Sequence, residues 1–172
     1  MSRSRACAVL ASLVVLLILH SVVASAQTVG DPRRDTFWLG GGLGAGSEDF
    51  AGSLNGSYQF GGNVVSLRVS GTAGIFDDGF GDYAVLYGRA LLPSDRRNHA
   101  SIGIGVGLVN GCSGGGLAGC QGVPKVVGLP IEVQAIWHPG SLVGVGLYGF
   151  ANINDARSFA GLTLGLQVGR LR

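Results

Sequence analysis

Ser101-Ile102-Gly103-Ile104-Gly105-Val106-Gly107-Leu108 places an aliphatic side chain at every second position and almost nothing between. Successive side chains of a strand point to opposite faces, so this stretch reads as a β-strand with one greasy face and one bare face. The same period of two returns where Leu162, Leu164, Leu166 and Val168 alternate with Gly161, Thr163, Gly165 and Gln167. It returns again where Val65, Leu67 and Val69 face away from Ser66, Arg68 and Ser70, and where Ile131, Val133 and Ala135 face away from Glu132 and Gln134. Beyond residue 26 no stretch sustains a helical apolar period. The expectation is an all-β chain.

Working outward from these segments gives eight strands: Phe37 to Gly46, Ala51 to Phe60, Asn63 to Ile75, Asp82 to Leu92, Ala100 to Val109, Val126 to Trp137, Leu142 to Asn152, and Ser158 to Gly169. Each is close to the roughly ten residues that a tilted strand needs to cross a bilayer. Their connections alternate in character. Gly61-Gly62, Pro93 to His99 and His138-Pro139-Gly140-Ser141 are tight or modest. Ser47 to Phe50, Phe76 to Gly81, Asn110 to Lys125 and Ile153 to Arg157 are mostly longer and more irregular. Short turns at one end and longer loops at the other is the layout of an up-and-down transmembrane barrel.

Alternation alone leaves open whether the aliphatic face points inward, as in a soluble lipocalin-like barrel holding a small apolar ligand, or outward into lipid. Charge placement favours the second. Only 13% of the 172 residues are charged, and in the strands only Arg68, Arg89 and Glu132 are well inside. A soluble barrel must wet its outer face and does so with charged side chains along the strands; the only lysine here, Lys125, falls in a predicted loop. Phe37, Tyr58, Phe60 and Trp137 gather at the turn end, and Phe50, Phe76 and Phe80 at the loop end, as aromatic girdles would.

The N-terminus carries Arg3 and Arg5, then an apolar run from Ala8 to Leu19, then Ala24-Ser25-Ala26. This is the order of a secretory signal peptide with cleavage after Ala26, and the run is too short for a helical span. Residues 27–36 then form a periplasmic arm and residues 37–172 the barrel domain. With the leader's two arginines set aside, ten basic residues balance ten acidic ones. A neutral chain lacks the one-signed field that nucleic-acid binding requires. Export also leaves Cys112 and Cys120 as an even pair in an oxidising compartment, which is read as a loop-closing disulfide.

The three strand charges are expected on the inward face. Pairing the third and fourth strands about a loop centred near Asp78-Gly79 sets Arg68 opposite Arg89, with Glu132 reaching them past Gly103. The expectation is an internal cluster of Arg68, Arg89 and Glu132, helped by Gln134 and Gln167, that plugs the lumen. Other motifs are set aside. The glycine strings lack the Gly-Lys-Ser/Thr of a phosphate loop. Asp77, Asp78 and Asp82 are read as solvated loop charge rather than a cation site. No catalytic, cofactor or metal residue is assigned.

With this pattern the chain resembles the small eight-stranded outer-membrane barrels of Gram-negative bacteria, the OmpA-like and OmpX-like family. The resemblance covers Phe37 to Gly169 and speaks to architecture, not to task; the chain is read as a structural or surface-interaction protein and not as an enzyme. The partners it implies are outer-membrane lipid and the barrel insertion machinery; it assigns no chemistry to any partner at the loops. In one respect the chain departs from that family, whose last strand usually ends in an aromatic read by the insertion machinery; here the end is Val168-Gly169-Arg170-Leu171-Arg172. His99-Ala100-Ser101 is similar to the His-x-Ser of outer-membrane lipid A deacylases, but the expected topology sets His99 in a periplasmic turn with no acidic residue placed to orient it.

Overall fold

The structure is a computed structural model that describes residues 35–74, 79–91, 98–113, 121–139 and 142–170. It contains β1 (Thr36–Gly46), β2 (Asp49–Phe60), β3 (Asn63–Ala73), β4 (Gly79–Ala90), β5 (Asn98–Ser113), β6 (Gln121–Trp137), β7 (Val143–Ile153) and β8 (Phe159–Arg170). Each strand pairs antiparallel with its neighbour in sequence, and β1 closes against β8, giving an eight-stranded barrel. All eight expected strands are present. β4 starts at Gly79 rather than Asp82, and Lys125 lies in β6 rather than in a loop.

The cross-strand register fixes the tilt of the barrel. Starting at Trp137 on β6, the row of directly opposed residues runs through Val145, Leu166, Gly41, Leu54, Val69, Tyr83 and Leu108. It returns to β6 at Val127, so one circuit shifts the register from residue 137 to residue 127, ten positions along the same strand. For eight strands such a shear implies strands inclined by about 40°. Every member of this row faces outward, and apart from Gly41 each carries an apolar side chain or the tyrosine ring.

The face assignment follows the two-residue period. Leu43, Leu54, Leu67, Val85, Val106, Leu147 and Leu164 are exposed on the outside. Ser53, Asn55, Ser57, Ser66, Arg68, Glu132, Gln134, Thr163 and Gln167 are buried inside. This is the reverse of a barrel that encloses an apolar ligand. At the turn end Phe37, Tyr58, Phe60 and Trp137 stand on the outer face, where Tyr58 stacks on Phe60 at 6.0 Å and donates to Asp35 at 2.7 Å. At the loop end Phe50 is exposed, but Phe80 points inward and is buried, which corrects its placement in a girdle; Phe76 lies outside the described residues.

Two connections show their turn chemistry directly. Gly61, with φ of 57°, turns β2 into β3 in a conformation that disfavours any Cβ. The β1–β2 connection is shorter than expected, because Asp49 already pairs with Gly46 and takes φ of 72°, a left-handed conformation Asp tolerates better than most residues. At the same end β5 and β6 run 16 and 17 residues, against 11 or 12 elsewhere. Pairing of β6 with β7 begins only at Leu129 opposite Ile153, so among the described residues the part of β6 before Leu129 has a strand partner on one side alone.

Candidate functional site

The inward side chains form three layers along the barrel. Toward the loops, Ala51, Phe80, Val109, Phe150 and Phe159 pack as an apolar cluster. Toward the turns, Trp38, Val64 and Ile136 form another, with the His99 ring edge-on to Trp38 at 4.9 Å. Between them lies a polar layer whose centre is an ion pair.

Arg68 Nη2 donates to Asp82 Oδ2 at 2.7 Å, with both side chains almost wholly buried. Asp82 also accepts from the Ser70 hydroxyl at 2.6 Å and from Asn152 Nδ2 at 2.7 Å. The second guanidinium nitrogen, Arg68 Nη1, donates to the Ile131 carbonyl at 2.9 Å and lies 3.6 Å from Glu132 Oε2. The guanidinium also sits 5.6 Å from the centre of the Phe150 ring. A charge this deeply buried is tolerable only when paired and hydrogen-bonded on several sides; Asp82 accepts from Arg68, Ser70 and Asn152, and Arg68 also donates to the Ile131 carbonyl.

Glu132 extends the network toward the turns. It accepts from Gln134 Nε2, whose carbonyl oxygen accepts from Trp38 Nε1 at 3.3 Å. At the other end Asn154 Nδ2 donates to Asn152 Oδ1 at 3.2 Å. Hydrogen bonds therefore run from the β7–β8 loop through Asn152 and Asp82 to Arg68, and others run from Glu132 through Gln134 to Trp38, the two stretches being joined by the 3.6 Å Arg68–Glu132 ion pair. Above the apolar layer, Arg157 pairs with Glu48 at 2.7 Å and lies 5.1 Å from the Phe80 ring centre, tying the β7–β8 loop to the β1–β2 turn.

Of the residues expected in an internal cluster, the structure brings together Arg68, Glu132 and Gln134. Arg89 is not among them. It is exposed on the outer face at the turn end, opposite Asn63, and Arg68 stands opposite Ala84. The expected pairing of 68 with 89 differs from the observed one by an odd number of residues, and an odd slip turns a strand inside out. Tyr83, Val85 and Tyr87 were the available signal, since Arg89 shares their phase and Asp82 does not. Asp82 is accordingly no rim charge but the main partner of Arg68, while Asp77 and Asp78 lie outside the described residues. Gln167 is fully buried, yet it hydrogen-bonds with none of this network.

His99 and Ser101 both face inward near the turn end, opposite Ile136 and Gln134, and His99 Nε2 is buried with no hydrogen-bond partner. Among the described residues no carboxylate is bonded to either, and no three potential metal ligands converge. Cys112 lies near the end of β5; its expected partner Cys120 is outside the described residues. On the outer surface, glycines leave shallow bare strips, one of about 550 Å³ lined by Leu43, Phe50, Gly52, Gly71, Gly81 and Asn110.

No family model matches the sequence, and no curated protein matches it. Solved structures do. Neisserial surface protein A aligns over 78% of this chain and 96% of its own, at 10% identity and a TM-score of 0.58. Ail, the attachment invasion locus protein of Yersinia pestis, crystallised with the heparin analogue sucrose octasulfate, aligns over 78% and 97% at 13% identity and 0.54. The N-terminal β-barrel domain of Pseudomonas aeruginosa OprF aligns over 78% and 95% at 7% identity and 0.54. These likenesses, with the closed eight-stranded register and its outward aliphatic face, give the chain the fold of the small eight-stranded outer-membrane β-barrels.

Proposed function

We propose that this protein resides in the outer membrane as a structural or surface-interaction barrel without enzymatic activity, its lumen closed by inward polar side chains. The observation that carries the reading is the outward row from Trp137 round to Val127, a full circuit of the barrel without a charged side chain. Water would be a poor solvent for that belt, whereas hydrocarbon suits it. Residues 1–26 act as the export leader, cleaved after Ala26, and residues 27–36 lie in the periplasm. A Cys112–Cys120 disulfide closes the β5–β6 loop. Lipid and the insertion machinery are the partners the reading requires; Ail and Neisserial surface protein A carry surface roles in their names, and the loop end is where a partner would meet this chain.

The test is gel mobility of residues 27–172 refolded in detergent and run in SDS with and without boiling. A closed membrane barrel resists SDS until heated, so two mobilities are expected. A single mobility, together with a monodisperse folded protein in detergent-free buffer, would overturn the reading.

A further inference from the structure

One inward row of the barrel wall is left unbalanced by the network described above. Gln167 on β8, Gly40 on β1, Asn55 on β2 and Arg68 on β3 stand directly opposite one another in sequence across four strands. Three of these four side chains carry buried polar atoms that no protein group meets: Gln167 Nε2 and Oε1, Asn55 Nδ2, and Arg68 Nε. The fourth position is a glycine. Tyr148 reaches the same place from β7, and its hydroxyl lies with the Asn55 carbonyl oxygen in the space a Cβ at residue 40 would occupy. Gln167, Asn55, Arg68 and Tyr148 are each less than a tenth exposed.

Unpaired polar atoms at this depth are costly one by one, and a cluster of them along one row points to a shared ligand. The set contains donors in both amides and the guanidinium, an acceptor in the Gln167 carbonyl, and a hydroxyl that serves as either. Three of the four groups are neutral, and the arginine charge is already matched by Asp82. The fitting ligand is therefore neutral, small, and able to donate and accept at once. Water meets that description, and a buried water takes about three such partners.

We infer that Gln167, Asn55, Arg68 and Tyr148 form an internal water-binding site at Gly40, a wet strip in the wall beside the ion pair. Along β1 the next inward position toward the turns is Trp38, a member of an apolar cluster, and along β2 the next toward the loops is Ser53, whose hydroxyl is already bonded to that of Thr163. Gly40 is what lets these polar ends converge, because its bare Cα leaves the space that the Tyr148 hydroxyl and the Asn55 oxygen take up. The strip also supplies Arg68 with a partner for the one guanidinium nitrogen that the protein leaves unbonded.

The experiment is water-to-protein magnetisation transfer by NMR on residues 27–172, isotope-labelled and refolded in perdeuterated detergent. Transfer from water is expected at the side-chain amide protons of Asn55 and Gln167 and at the Gly40 amide, comparable with that at the open turn residue Gly61. Gly40→Ala puts a methyl where the Tyr148 hydroxyl and Asn55 oxygen now lie, both movable side-chain ends, and should cut the transfer at Gln167 several-fold while heat-modifiable gel mobility persists. If Gly40→Ala does not fold, Gln167→Leu serves, with the loss read at Asn55. Transfer at Gly61 but not at Asn55 and Gln167 in the unmodified chain would overturn the inference. So would undiminished transfer in a folded variant.

Discussion

Arg68 and Asp82 meet diagonally across adjacent strands, 2.7 Å apart, because Asp82 stands opposite Ser70, one inward position beyond Arg68. Diagonal neighbours on one face are within reach of a long side chain, and Arg68 is long enough to close the gap. Ser70, directly opposite, gives its hydroxyl to the other carboxylate oxygen. The pair is thus gripped at both ends.

Removing one member should strand the other in the interior. Asp82→Ala is expected to destabilise the folded barrel by about 3–5 kcal/mol, the usual cost of breaking a buried pair from one side. Urea unfolding in lipid vesicles, followed by the gel shift, measures it. Arg89→Ala, on the outer face at the turn end, should stay within about 0.5 kcal/mol of the parent.

The two acids should not be equivalent. Glu132 approaches the guanidinium only to 3.6 Å, while Asp82 makes the short contact and accepts two further donors. Asp82→Asn is therefore expected to lower the urea midpoint more than Glu132→Gln. The reverse order would mean that Glu132 is the principal counter-ion.

The glycines differ in what surrounds them, and alanine substitution reads the difference. A Cβ at Gly105 would run into the Val85 carbonyl and come within 2.7 Å of Leu86 Cα, which is backbone and cannot swing away. Gly105→Ala should cost about 1–3 kcal/mol through overpacking. At Gly52 the nearest neighbour is Leu43 Cδ2 at 3.7 Å, an ordinary contact, so Gly52→Ala should leave the urea midpoint nearly unchanged.

A charge on the outer belt tests what surrounds the barrel. Leu164, near the middle of β8, is 61% exposed. Leu164→Arg should weaken folding into phosphatidylcholine vesicles by about 2–4 kcal/mol, whereas a substitution at the rim of the belt should cost far less. Equal effects at both positions would argue that hydrocarbon does not contact β8.

Much of this fold was legible in the sequence because one face of each strand is so plain. Ile102, Ile104, Val106 and Leu108 announce a strand and its outer face without help from any neighbour, and the same holds for Leu162 to Val168. What a single strand does not announce is where its partner begins. The β3–β4 register depends on the connection between residues 73 and 79, and assuming the wrong centre for it turned Arg89 inward and left Asp82 outside. The outward trio Tyr83, Val85 and Tyr87 carried the right answer locally. Gln167 reads as inward from its phase, but that it shares a row with Asn55 and Arg68 depends on the register of three strand pairs, which no pattern along one strand reveals.

The unequal lengths of the strands give the barrel a front. Before Leu129 the β6 wall runs on with no described strand paired to its β7 flank, at about 3.3 Å of strand per residue. Pro124 and Lys125 sit on that edge, one lacking an N–H and the other charged, both poor invitations to an extra strand. Among the described residues, the β5–β6 side is therefore the part of this end where the sheet runs longest, and its free flank offers an approaching molecule side chains rather than an inviting backbone.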